Sequence, residues 1–139
     1  MRTVAGIALT SLLLGLTACG AQPSSAGDFE GEERDVAEVV ENLQTSAQRG
    51  EADTICADLL HESLREQVAA GGESCDEQMR LAVEDADAFD LAVEEVTLQG
   101  SRATVLVRGD AGEDPDVERT FELENDAGRW RVTSFGEGS

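Results

Sequence analysis

A chain of 139 residues holding 30 acidic side chains, ten arginines and no lysine carries a formal charge of −20 at pH 7. Nucleic acid and anionic lipid surfaces are thereby excluded as partners of the folded part, since both demand clustered positive charge, while a cationic partner stays permitted. The length supports one hydrophobic core and one domain.

The chain begins with Arg2 as a minimal positive flank and an apolar run from Val4 to Leu16. That run is short of the roughly 20 residues a helix needs to span a bilayer, so residues 1–18 read as a secretory signal. Leu16-Thr17-Ala18-Cys19 then places small residues directly ahead of a cysteine, a pattern that resembles a bacterial lipobox. The resemblance implies that the chain is cut before Cys19, that its thiol carries diacylglycerol, and that the protein is anchored in the cell membrane on its extracytoplasmic face. Two or more acyl chains make such an anchor durable, because each buried methylene contributes about 0.8 kcal/mol. From residue 19 to 32 the chain is rich in Gly, Ser, Ala and Pro ("GAQPSSAGDFEGE" follows Cys19), with no hydrophobic period. This segment is expected to be a flexible tether reaching on the order of 20 Å, with a single domain at 33–136.

Of the three cysteines, lipidation of Cys19 leaves an even pair, Cys56 and Cys75. Outside the cytoplasm such a pair tends to be oxidised, and no C-x-x-C motif or further ligand at zinc spacing offers it another task. A disulfide here closes a loop of about 20 residues, worth roughly 3 kcal/mol by chain entropy.

Asp35-Val36-Ala37-Glu38 resembles a capping box, and Val36, Val39, Val40, Leu43 and Ala47 then recur at helical spacing up to Gly50. Asp53 is expected to cap a short second helix whose Cys56, Leu59 and Leu60 share a face. Ser63-Leu64-Arg65-Glu66 offers another box, with Leu64 and Val68 apolar, and Gly71-Gly72 ends that helix. Ser74-Cys75-Asp76-Glu77 opens the last helix, whose stripe is Cys75, Met79, Ala82, Val83 and Ala86. Both cysteines thus point into one core.

The period then changes from 3.6 to 2. Leu91 and Val93 alternate, the phase slips at Glu94-Glu95, and Val96 and Leu98 resume, which describes one strand with a bulge. Gly100-Ser101 turns the chain into Ala103, Val105 and Val107. "GDAGEDP" (109–115) reads as a loop, followed by a strand with Val117, Arg119, Phe121 and Leu123 on one face. Asn125 to Gly128 makes a turn into a fourth strand with Trp130 and Val132. Helices first and an antiparallel meander second define an α+β fold, with N-terminal helices packed on a curved sheet of about four strands.

The order "AD-x-x-C-A-D-L-L" (52–60), "LREQ" (64–67), "GGESC" (71–75) and "GRWRV" (128–132) resembles small actinobacterial lipoproteins of the nuclear transport factor 2-like (cystatin-like) superfamily, over about residues 33–136. The resemblance implies a cone in which a curved sheet wraps a helix and leaves a pocket at the open end. That scaffold serves enzymes such as ketosteroid isomerase as well as non-catalytic members, so it leaves activity undecided. The isomerase type pairs an Asp base with a Tyr-containing oxyanion site, and this chain has no tyrosine. Only the scaffold, the Cys56–Cys75 pair and Trp130, as a plug of the concave face, carry over.

Candidate site residues follow from phase and context. Arg119 shares a face with Val117, Phe121 and Leu123, so Arg119 and Phe121 are expected pocket residues, joined by Trp130 as the plug that the resemblance implies; the arginine there either holds a ligand carboxylate or pairs with a glutamate of the fold. Arg129 and Arg131 flank Trp130 and are expected to pair with acids across the sheet. His61, the one histidine, is a conceivable general base but more simply a capping residue at a helix junction. Asp110, Glu113, Asp114 and Asp116 offer oxygens to calcium but lack the D-x-D-x-D-G spacing; no metal, cofactor or catalytic set is assigned. The expected function is therefore a non-catalytic, membrane-anchored domain that binds an envelope protein or a small apolar ligand. Its competitors are an isomerase- or dehydratase-type enzyme on an apolar substrate, and an accessory subunit of a membrane protein.

Overall fold

The computed structural model describes residues 25–84, 90–111 and 114–136; the signal at 1–18 and Cys19 lie outside them. A 3-10 turn, Ser25–Asp28, precedes helix α1, Gly31–Arg49. Helix α2, Ala52–Thr54, continues into a π-helical turn, Ile55–Leu59; α3 is Glu62–Ala69 and α4 is Cys75–Val83. Four strands follow, β1 Asp90–Gln99, β2 Arg102–Ala111, β3 Asp114–Asp126 and β4 Arg129–Ser134. They form one antiparallel sheet in sequence order, with the helices packed on it, an α+β architecture. Among the described residues no helix is long and apolar enough to cross a membrane.

The core lies between α1 and one face of the sheet. Val36, Val40 and Leu43 are buried on the helix, facing a layer that includes Val93, Val105 and Val132. Alternation supplies the sheet side: Ala103, Val105 and Val107 are buried while Arg102 and Thr104, in the opposite phase, are exposed. The slip at Glu94 is a real bulge, since Val93 opposes Val107 whereas Glu95 opposes Leu106. A second irregularity separates Glu122 from Leu123 against β4. Each adds twist and bends the sheet over α1.

The disulfide joins Cys56 and Cys75 with Cα atoms 6.1 Å apart, fastening the π turn to the first residue of α4. Ser74 caps α4 as its spacing predicts, its Oγ accepting from the Glu77 N–H at 3.3 Å. At the end of α1, Gly50 has φ 69° and its N–H reaches Ala47 O, while the Glu51 N–H reaches Ser46 O. This is a Schellman closure, which needs the left-handed backbone that glycine adopts without cost.

Several local expectations are corrected. The chain is held to the domain from Ser25 rather than running free to 32: Ala26 is buried, its N–H donates to Glu41 Oε1 at 2.8 Å, and Phe29 packs against the core. Helix α1 accordingly starts at Gly31, four residues before Asp35, with Glu32 and Glu33 complementing the positive helix end. Asp53 caps nothing, because α2 begins one residue earlier at Ala52. Leu60 is not helical; it is extended and bridges Val132 in parallel, with the His61 N–H donating to Val132 O at 2.8 Å. The 109–115 loop is shorter than expected, since β2 runs to Ala111 and β3 starts at Asp114.

Candidate functional site

The bent sheet, α1 and α4 do not meet tightly at one end of the domain, and a cavity of about 300 Å³ is left there. Its walls are built from the same patterns that make the core. Leu43 and Ala47 come from the buried stripe of α1, Met79 and Val83 from α4, and Val107 and Phe121 from the inner face of the sheet. Phe135, just past β4, closes one side by meeting Phe121 edge to face, with centroids 5.4 Å apart.

Helix α4 is the loosest wall. None of its residues is fully buried; Cys75, Met79 and Val83 are only partly covered, and Leu81 is 48% exposed. The disulfide at its first residue therefore carries much of its attachment.

Gly109 forms the rim where β2 passes β1. A Cβ there would lie 2.9 Å from both Asp90 O and Leu91 Cδ2, so the approach of the two strands at the cavity requires glycine. Sequence reading missed it by assigning 109–115 to a loop. The signal was present, because Gly109 continues the period of Val105 and Val107.

Arg119 and Phe121 both line the cavity. Phe121 is buried, while Arg119 is exposed at the mouth. Among the described residues, Arg119 is also the one lining residue with a charged or hydrogen-bonding side chain, and it closes no ion pair with any of them. The register explains this. Val107 lies opposite it on β2, Val117 and Phe121 flank it along β3, and β4 ends at Ser134 against Glu122, before reaching Arg119. The glutamate partner within the fold is thus not found among the described residues. On the outer face the situation is reversed: Arg108 reaches Glu94 at 3.3 Å and Glu118 at 3.2 Å.

Trp130 is buried on the inner face, but beside the β3–β4 turn, opposite Asn125. It belongs to the core and is not among the residues lining this cavity, whose β3 wall lies at 117–121. Arg129 and Arg131 face Asp126 and Glu124 in register, yet neither closes an ion pair among the described residues.

His61 is the N-cap of α3. The Ser63 N–H donates to its Nδ1 at 3.3 Å, and the Ser63 Oγ lies within hydrogen-bond distance of the same nitrogen at 2.8 Å. The imidazole therefore does what Ser63 was expected to do, and it does not line the cavity. Of the acidic set, Glu113 lies outside the described residues, and the side chains of Asp110, Asp114 and Asp116 are likewise outside them. Among the described residues no group of three or more His, Cys, Asp or Glu side chains is placed to hold a metal.

Fold and site together define a small α+β domain with an apolar cavity at the open end of its sheet. No family model and no curated protein matches the chain. Among solved structures it is similar to an NTF2-like protein of unknown function from Mesorhizobium loti, at 18% identity and a TM-score of 0.43, covering 76% of this chain and 97% of that one.

Proposed function

We propose that this chain is a lipid-anchored, extracytoplasmic domain of nuclear transport factor 2-like type that binds a small apolar ligand without transforming it. One observation carries the binding reading: the cavity between α1, α4 and the sheet is walled by aliphatic and aromatic side chains, with no acid, imidazole, hydroxyl or thiol in the lining among the described residues. Its volume falls at the lower end of the usual range for small-molecule sites, about 300–1,000 Å³, and predominantly apolar walls with very few polar groups are typical of them. Anchoring is supported by the small residues ahead of Cys19 after an apolar run, and by the parity of the remaining cysteines.

Native mass spectrometry of the full-length protein after incubation with an envelope extract tests the binding reading. An intact small molecule is expected on the wild type and lost from Ala82→Trp, which fills the cavity from the exposed side of α4. Conversion of the captured molecule, abolished by a substitution in the domain, would establish the enzyme instead. Metabolic labelling with radioactive palmitate tests the anchor: label on the wild type and none on Cys19→Ala is expected, and an unlabelled wild type rules the anchor out.

A further inference from the structure

We infer that the ligand is an amphiphilic acid, with one carboxylate held by Arg119 at the mouth and an apolar body inside. This rests on the ligand-binding reading above. Among the described residues Arg34, Arg80 and Arg108 close ion pairs with acids, Arg108 with two of them on the outer face. Arg119 sits on the inner face, where its neighbours in register are Val107, Val117 and Phe121. No ion pair among the described residues engages its planar guanidinium, and a carboxylate brought from outside matches its donors two at a time.

Charge limits the guest to a single negative group. Among the described residues the mouth presents one cation, on a chain of strongly negative charge, and the summed field repels a multiply charged anion more than a monoanion. Size limits the rest. About 300 Å³ of cavity, at roughly 30 Å³ per water-sized group, holds about ten heavy atoms. A saturated chain of about that length, with its carboxylate at Arg119, satisfies both limits.

Equilibrium dialysis of the full-length protein at pH 7 against radiolabelled decanoate and decanol decides the matter. Decanoate is expected to bind at least about fivefold more tightly than decanol, since even a partly exposed ion pair contributes on the order of 1 kcal/mol. Arg119→Gln should erase that preference by lowering decanoate affinity to the level of decanol, and its exposed position makes the fold tolerant of the substitution. Ala82→Trp should weaken both. Equal binding of acid and alcohol to the wild type, or a preference that survives Arg119→Gln, overturns the carboxylate assignment while the apolar cavity stands. Absence of binding by both probes overturns the cavity reading, and this inference with it.

Discussion

Replacing both bridged cysteines by alanine removes a cross-link between residues 19 positions apart. In the chain-entropy model a closed loop of that size restrains the unfolded chain by about 11 cal/mol/K, or about 3 kcal/mol at 25 °C. For a domain of roughly 110 residues this corresponds to a fall in Tm of about 12 °C. The loss should also be local. Helix α4 has no fully buried residue, so without the bridge it depends on the half-covered Met79 and Val83 and on its Ser74 cap. Calorimetry of wild type and double variant measures the first effect, and native-state hydrogen exchange the second. Amides of Cys75–Val83 should lose protection well before those of β2 and β3, which form the centre of the sheet. A Tm within about 2 °C of wild type, or α4 amides that exchange unchanged, would refute the view that this bridge holds the cavity wall in place.

Three further outcomes follow from particular positions. Ala127 sits at φ 52° beside Gly128 at φ 86° in a two-residue hairpin between Asp126 and Arg129, a geometry that favours Asn-Gly; Ala127→Asn should stabilise by about 1 kcal/mol and raise Tm by about 4 °C. Leu123, 1% exposed, packs where β3 meets β4, and Leu123→Ala should cost about 3 kcal/mol in urea unfolding, against less than about 0.5 kcal/mol for Leu81→Ala on the exposed side of α4. The net charge of −20 implies self-repulsion that salt screens. Tm should therefore rise by several degrees between about 20 mM and about 500 mM sodium chloride, and a flat profile would contradict it.

Much of the fold was legible because its signals are short-range. Val36 to Ala47 repeat at helical spacing whatever they pack against, and Ala103, Val105 and Val107 alternate as a half-buried strand must. The slip at Glu94 showed as two adjacent polar residues between apolar phases, and the structure turns it into a bulge. Errors gathered where partners are distant in sequence. Leu60 follows its neighbours in helical phase, yet a hydrogen bond between the next residue, His61, and Val132, 71 positions away, holds it extended. Ala26 and Phe29 look like tether until Glu41 and the core receive them. Trp130 was given to the pocket through the family resemblance, as a plug of the concave face, but its place beside the β3–β4 turn sets it among core side chains, away from the 117–121 stretch of the cavity wall.

The sequence by itself determined the period of α1 and of the four strands, the turns at 100–101 and 125–128, the pairing of Cys56 with Cys75 and the inward phase of Arg119. These depend on steric preferences within a few residues, on counting thiols and on the twofold alternation of a strand. Only the tertiary structure decided that α4 would stand off from the sheet, that a void would remain there, and that Arg119, beside Val107, Val117 and Phe121, would close no ion pair among the described residues. A cavity is the space that several separate segments fail to fill, so its size and lining depend on how all of them pack at once.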